Sequence, residues 1–211
     1  MIITYFGHEF FKIQFGNLTL ATNPISKDSK LKSSRFGADI ALVTSPNDPD
    51  MNGVEQVSFG EREPFVIAGP GEYEVKDVFI KGFLSMGASD GQYNTIYTVS
   101  LEGMNLCFLG ALGSKEVAAE TKSALGDIDI LFVPIGGEDV LTSVEAAKFA
   151  VSLEPRLIIP MHYGKSADAS LKTFLKEIGA EKTEPQEKLT LKKKDLEGKE
   201  GDVVVLASVS E

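Results

Sequence analysis

Short runs of apolar or alternating residues, separated by glycine and other turn-forming residues, make up the first half of the chain. Runs of roughly four to eight such residues between turn signals predict β-strands. A polar stretch at residues 26–36 has no clear period and is interpreted as a surface loop or one short helical turn. The predicted strand at 65–68 ends in residues 69–73, whose glycines fit either a tight turn or a close backbone approach near a cleft. The predicted strands cover residues 2–6, 10–15, 18–21, 38–44, 65–68, 75–83, 95–101 and 106–109.

In the second half the apolar positions recur at the spacing of amphipathic helices. Ser114 is the candidate N-cap of the first helix. Thr142 and Glu145 form a capping box that opens the second, and Pro155 marks its end. Continuous apolar strands alternate with these helices, which predicts an α/β fold. Helices are predicted at residues 114–125, from the capping box to Pro155, and at 171–178, and strands at 128–135, 157–161, 189–191 and 203–207.

Composition narrows the class of partner. The formal net charge of −10 opposes binding to phosphate backbones and to anionic lipid heads, so we expect no nucleic-acid or membrane partner. Neither a signal peptide nor a membrane-spanning run is recognisable, which predicts a cytoplasmic protein. The single cysteine, Cys107, lies in an apolar run and is interpreted as a small buried thiol without a redox role.

The candidate chemistry is concentrated in one loop and two histidines. Residues 45–53, after the predicted strand 38–44, form a dense cluster of turn-forming and polar residues. Loops placed at strand ends by a rigid scaffold often carry function. His8 and His162 are the only histidines of the 211-residue chain.

Several strings, taken in order, resemble the metallo-β-lactamase superfamily, in particular its ascorbate-6-phosphate-lactonase-like branch of Zn-dependent hydrolases. They keep the family's order from residue 1 to about residue 165. The strings are TYFGHEFF at residues 4–11, TNP at 22–24, ADIALVT at 38–44, IAGPGEYEV at 67–75, NTIY at 94–97, FLGALG at 108–113, PIGG at 134–137 and IPMHYG at 159–164.

The resemblance implies a fold and a metal centre. The family fold is a four-layer αβ/βα sandwich, so we predict one metallo-β-lactamase-like domain over residues 1–211. Family members hold two metal ions with a His-x-His-x-Asp-His loop, a later histidine, a bridging aspartate and a final histidine. Such a centre activates a water molecule by lowering its pKa towards ~7.

This chain departs from that ligand set at most positions. Asp50 matches the aspartate of the loop motif, but Met51 replaces the histidine after it. The later histidine is missing from residues 87–89, and Ala111 replaces the bridging aspartate. Of the metal-binding histidines only His162 remains. In addition, Asn23 replaces an aspartate of an Asp-Pro pair, and His8 matches a branch histidine that is not a core ligand.

Two catalytic hypotheses survive these substitutions. In the first, Asn47, Asp48, Asp50 and His162 hold one divalent ion, Mn²⁺ or Mg²⁺ rather than Zn²⁺, although Asp48 and Asp50 would equally serve as turn caps. In the second, His8 and His162 perform metal-free acid–base chemistry, oriented by Asp50 or by Glu72. Ser45 and Ser89 are weak nucleophile candidates.

From the sequence we therefore predict a metallo-β-lactamase fold with a degenerate metal site and no bound cofactor. The main functional hypothesis is a non-catalytic module that binds a small metabolite or a protein. The alternative is a lactone or phosphoester hydrolase with an altered mononuclear site holding Zn, Mn or Mg. The catalytic candidates are His8, Asp50 and His162, and the resemblance leaves a homo-oligomer open.

Overall fold

The computed structural model of the chain describes residues 1–89, 91–164 and 168–209. Within these residues the α-helices are α1 (Ala119–Leu125), α2 (Ser143–Ser152) and α3 (Ala169–Glu177). The strands are β1 (Ile2–Tyr5), β2 (Phe11–Phe15), β3 (Leu18–Thr22), β4 (Ile40–Leu42), β5 (Phe65–Ile67), β6 (Gly71–Val75), β7 (Val78–Met86), β8 (Tyr93–Leu101), β9 (Met104–Phe108), β10 (Ile130–Pro134), β11 (Leu157–Met161), β12 (Leu189–Thr190) and β13 (Asp202–Val203).

The described strands form two sheets. The first has the order β12-β1-β2-β3-β4-β5, and the second has the order β13-β11-β10-β9-β8-β7-β6. In the first sheet β3, β4 and β5 run parallel, and in the second β9, β10, β11 and β13 run parallel. The remaining pairs are antiparallel, so each sheet combines a meander with a set of parallel strands.

Alternation of side chains along the central strands divides the apolar residues between two layers. Leu20, Ile40 and Leu42 belong to the main core, which also contains buried residues of the second sheet. Ala21 and Ala41 point the other way and join a separate cluster with residues of the flanking loops. Because successive residues of a strand face opposite sides, one sheet contributes to both layers.

Helix α2 packs on the second sheet, but not with the face that the sequence predicts: of Val144, Ala147 and Val151 only Ala147 is buried, and Val151 is 57% exposed. α2 contacts both β10 and α3, and Ala146, Phe149 and Ala150 are among its buried residues. The predicted capping box is confirmed: the Thr142 hydroxyl accepts from the Glu145 amide, and the Glu145 carboxylate accepts from the Thr142 amide. Among the described residues no helix is long and apolar enough to cross a membrane.

Three predicted boundaries are wrong. α1 begins at Ala119 rather than at Ser114, because the Ser114 hydroxyl accepts from the amide of Glu116 and closes a local turn. Residues 71–75 were not predicted as a strand of their own, but they form β6, which pairs with β7 in a hairpin. β13 has only two residues instead of the predicted 203–207, and beyond it the chain adds only isolated contacts to its neighbours.

The carboxyl ends of five strands meet at one edge of the two sheets. β3 leads into Asn23, β4 into Thr44 and β9 into Gly110. β10 leads into Gly136, and β11 leads directly into His162. Parallel strands place the loops that follow them at a common edge, where ligands bind in open α/β sheets. This edge positions the candidate functional site.

Gly110 is required at this edge both for its backbone conformation and for space. Its φ is 59°, and an added Cβ would lie 2.6 Å from the Thr44 Cβ. Gly16 has a similar φ of 55°, but a Cβ added there would meet nothing within 4 Å among the described residues.

We expect Gly16→Ala to lower the free energy of unfolding by about 1 kcal/mol. Gly110→Ala should lower it by about 3 kcal/mol, because steric overlap adds to the backbone strain. Urea unfolding of both variants measures the difference, and equal losses would contradict this interpretation.

Candidate active site

A buried carboxyl group pairs with the last histidine of the chain. The Nδ1 of His162 lies 2.7 Å from Oε1 of Glu9, whose side chain is fully buried. Glu9 lies in the turn between β1 and β2, and His162 follows β11. The backbone joins the same two segments, because the amide of His162 donates to the carbonyl of His8 at 2.5 Å. That carbonyl also accepts from the Tyr5 hydroxyl at 2.9 Å.

Asn23 satisfies the second oxygen of this carboxyl group. Its Nδ2 donates to Oε2 of Glu9 at 2.7 Å and to the Thr44 hydroxyl at 2.9 Å. Its Oδ1 accepts from the Thr44 amide at 2.8 Å. A buried carboxyl group costs much free energy unless hydrogen bonds replace its hydration. Asn23 and His162 supply those hydrogen bonds here.

The pairing determines the tautomer of His162. A carboxylate only accepts hydrogen bonds, so Nδ1 of His162 carries the hydrogen. In the neutral form of this tautomer the Nε2 atom has the lone pair that acts as a base or as a ligand. A carboxylate that holds one ring nitrogen also fixes the orientation of the ring. With a side chain that is 15% exposed, His162 is the member of the pair that a substrate can reach.

Three non-glycine residues around Glu9 have left-handed backbone conformations. The φ angles are 55° for His8, 43° for Asn23 and 57° for His162. Such conformations cost free energy in residues other than glycine, and they concentrate at functional sites. The positions that hold the Glu9 carboxyl group are therefore maintained at a cost in stability.

His8 is an uncharged neighbour of the pair. Its ring centroid lies 4.0 Å from that of His162, and its buried Nε2 has no hydrogen-bond partner among the described residues. Burial, and secondarily the nearby His162, lowers the pKa of His8 to about 4. At neutral pH the imidazole of His8 is consequently neutral.

Most of the residues predicted from the sequence line one inner pocket of about 370 Å³. The described residues that line it are His8, Asp48, Asp50, Met51, Ser89, Gln92, Ala111, Asp139 and His162. Asn47 and Ser45 line a neighbouring hollow instead. The hypothesis that Glu72 orients a histidine is wrong, because Glu72 lies on the exposed strand β6 and pairs with Lys81 at 3.0 Å.

The side chains present do not fit the dinuclear centre of the resemblance. Met51, Ala111 and Val140 form a buried apolar cluster that contains two of the positions where ligands are expected. The Asp50 carboxylate accepts from the Ser29 hydroxyl, and the Asp48 carboxylate accepts from the Asp50 amide at 2.9 Å, as the turn-cap interpretation expects. Among the described residues no three His, Cys, Asp or Glu side chains are grouped so as to hold a metal ion.

Sequence reasoning missed Glu9, the residue on which the pair depends. Its sequence signal is a carboxylate directly before two aromatic residues, Phe10 and Phe11, at the start of a predicted strand. Such a residue is buried and needs a partner. The partner could not be found from the sequence, because His162 lies 153 positions away. Cys107 agrees with its prediction: the thiol is buried, and burial raises its pKa to about 12.

Comparison with known proteins identifies the family. A family model described as a β-lactamase superfamily domain matches residues 2–162. The chain therefore belongs to this superfamily, as the resemblance predicts. A solved structure from Thermotoga maritima, provisionally assigned as a Zn-dependent hydrolase of the metallo-β-lactamase superfamily, has a TM-score of 0.78. It is 29% identical, and the match covers 97% of each chain, which confirms the predicted fold class.

Two further relatives come from archaea. A UPF0173 protein from Pyrococcus abyssi is 26% identical over 196 residues, which are 84% of this chain and 90% of the relative. A UPF0173 metal-dependent hydrolase from Thermococcus onnurineus is 33% identical over 100 residues, which are 45% of this chain and 44% of the relative. These names associate the family with metal-dependent hydrolysis. They do not support the predictions of a non-catalytic role and of an absent metal.

Restoring the family aspartate at Asn23 tests the network around Glu9. Asn23→Asp places a second carboxylate against Oε2 of Glu9. We expect it to lower the free energy of unfolding by about 3 kcal/mol at pH 8, because a buried charge loses its partner. The loss should shrink as the pH falls, because protonation of one of two adjacent carboxyl groups removes their repulsion. In the double mutant, Glu9→Gln removes one of the two carboxylates and should restore part of the lost free energy of unfolding. If the losses of the two single mutants simply add in the double mutant, residues 9 and 23 do not interact and the network is contradicted.

The low pKa of His8 predicts a pH-dependent stability. The unfolded chain binds a proton at this residue below about pH 6.5, whereas the folded protein binds it only near pH 4. The stabilisation is therefore complete above pH 6.5 and is lost as the pH falls towards 4. Between pH 7 and 4.5 we expect the wild type to lose about 2 kcal/mol more than His8→Asn, which tolerates positive φ. Parallel stability curves in urea unfolding would show that His8 is not the titrating group.

Proposed function

We propose that this protein is a hydrolase in which the Glu9–His162 pair activates water. The observation that carries the proposal is the fully buried Glu9 carboxyl group 2.7 Å from Nδ1 of His162. The backbone strain at His8, Asn23 and His162 supports it, since the site is held in a costly geometry. The relatives named as metal-dependent hydrolases support the reaction class.

The pair can act as a general base and then as a general acid. Nε2 of His162 takes a proton from water while the water oxygen bonds to the carbonyl carbon of an ester or lactone. The carbon–oxygen bond of the leaving group then breaks, and the leaving oxygen receives the same proton from Nε2. Glu9 stabilises the imidazolium form that exists between the two transfers.

The charges around the pocket favour uncharged substrates. Asp48, Asp50 and Asp139 line the inner pocket together with His162. Carboxylates that line the same pocket repel an anionic phosphoester but do not repel a neutral ester or lactone. Of the two substrate classes considered from the sequence, we therefore propose the lactone or ester type.

A non-catalytic binding function is the second candidate. It is favoured by the apolar cluster of Met51, Ala111 and Val140, which is buried beside His162. The inner pocket combines the apolar side chains of Met51 and Ala111 with several polar groups, and such a combination suits the recognition of a small metabolite. In that case the Glu9–His162 pair would bind a hydrogen-bonding ligand instead of activating water.

Hydrolysis of p-nitrophenyl acetate and δ-valerolactone tests the proposal. We expect His162→Asn to lower kcat by about 100-fold or more, because the general base is removed. Glu9→Gln should lower kcat by at least about tenfold, because the imidazolium form of His162 loses the carboxylate that stabilises it. Glu72→Gln is the matched control, since Glu72 is an exposed carboxylate outside the pocket, and it should keep full activity.

Activity with and without metal ions separates the metal-free mechanism from a mononuclear metal site. Under the metal-free proposal, protein purified without chelator and protein dialysed against EDTA should hydrolyse both substrates at the same rate. Activity that appears only with added Mn²⁺ or Zn²⁺, and that Asp48→Asn abolishes, would instead establish a mononuclear metal site. Absence of hydrolysis under all conditions would favour the binding function.

A further inference from the structure

A second hollow adjoins the inner pocket. It has a volume of about 750 Å³ and is called the outer groove here. Asp48 and Gln92 line both the outer groove and the inner pocket that contains His162. Volumes of this size are typical of small-molecule sites. A molecule whose reacting group lies at His162 would therefore have the outer groove next to it.

Rigid apolar groups form much of the wall of the outer groove. Pro46 and Pro49 come from the loop after β4, and Pro70 comes from the turn between β5 and β6. Leu84 and Tyr93 line the opposite side on the β7–β8 hairpin. Because proline fixes its own φ angle, the three prolines restrict the backbone of this wall in the absence of a ligand.

Hydrogen bonds connect the two sides of the outer groove. The Ser45 hydroxyl donates to the carbonyl of Tyr93 at 3.2 Å. The amide of Thr95 donates to the carbonyl of Thr44 at 3.0 Å. The hairpin is thus tied to the loop after β4, and the outer groove is formed in advance of binding.

Large apolar side chains are exposed at this end of the hairpin. Leu84 is 56% exposed, Met86 45% and Tyr93 62%. Met86 and Tyr93 are direct partners across the two strands, and Leu84 is two residues away from Met86 on the same face. Clustered exposed apolar residues beside a pocket mark a binding surface more often than isolated ones do.

The outer groove also has little charge. Among the described residues that line it, Asp48 has the only carboxyl group, and there is no lysine or arginine. The hollow on the other side of His162 differs, since Lys32, Glu138, Asp139 and Asp168 line it. An uncharged apolar group fits the outer groove better than that second hollow.

We propose that the outer groove binds the apolar acyl chain of the substrate while the carbonyl carbon lies at His162. This assignment of a substrate class rests on the proposed hydrolase function. The shared residues Asp48 and Gln92 give the continuity between the two sites, and the exposed Leu84 and Tyr93 supply the apolar contact.

Acyl-chain preference tests this assignment. The substrates are p-nitrophenyl acetate and p-nitrophenyl hexanoate, compared by kcat and KM. Each buried methylene adds about fourfold in affinity at most, so we expect the hexanoate to have at least about tenfold higher kcat/KM, through a lower KM. Leu84→Ser should reduce that preference to about threefold or less, mainly by raising the KM for the hexanoate. Phe79→Ser is the matched control, because Phe79 is 55% exposed on the same strand and does not line the outer groove.

Binding of hexanamide, measured by isothermal titration calorimetry, makes the result independent of catalysis. If hydrolysis is absent but hexanamide binds and Leu84→Ser weakens it about tenfold, the outer groove assignment stands and the proposed function fails. If both esters are hydrolysed equally and hexanamide binding is insensitive to Leu84→Ser, the assignment is overturned and the proposed function stands. Hexanamide that does not bind the wild type also overturns it. A third result would also overturn the assignment: sedimentation velocity shows that the wild type is a dimer and that Leu84→Ser dissociates it. The exposed apolar residues of the hairpin would then be an interface between copies of the chain.

Discussion

The buried carboxyl group of Glu9 is the constraint on which the arrangement of the site depends. Its two oxygens each have a partner, His162 on one side and Asn23 on the other, both at 2.7 Å. These partners come from the ends of β11 and β3, in different sheets. One side chain thus joins the two sheets at the edge where the strand-end loops meet. Leaving this carboxyl group without partners would cost several kcal/mol, so the three segments must fold together.

The substitutions at the expected ligand positions are consistent with that constraint. An aspartate at position 23 would repel Glu9, whereas the amide of Asn23 donates to it and to Thr44. Ala111 and Met51 pack against each other where charged or imidazole side chains would require a metal to offset their burial. The replaced positions therefore form one compatible set rather than a partly emptied ligand sphere. Each local residue choice agrees with its neighbours, which is expected of a stable sequence.

The long apolar segments of the sequence predicted much of this fold, and the exceptions have physical causes. The predicted strand at residues 157–161 matches β11, because both of its faces are buried. The capping box at Thr142 opens α2, because its hydrogen bonds are local. β6 was missed because its glutamates and Gly71 are exposed on an edge strand, where no apolar alternation is required. α1 was placed too early, because helical spacing alone does not exclude the local turn at Ser114.

The candidate site was predictable only in part, for a related reason. His162 and Asp50 follow strands, and the order of strand ends indicates which loops meet. Glu9 gained its role from a contact between residues 153 positions apart, which no local pattern encodes.

The same contact bears on the proposed chemistry in a family whose relatives are named for metal dependence. A fold supplies an edge where loops converge, while the side chains at that edge decide the chemistry. Here the edge supplies an oriented imidazole, the buried apolar cluster around Met51 and, beside them, a groove with Leu84 and a single carboxyl group among its described residues. These features favour a base acting on a neutral, partly apolar carbonyl compound. A two-metal centre instead needs several anionic or imidazole ligands brought together, and such a cluster would oppose the apolar packing that this edge contains.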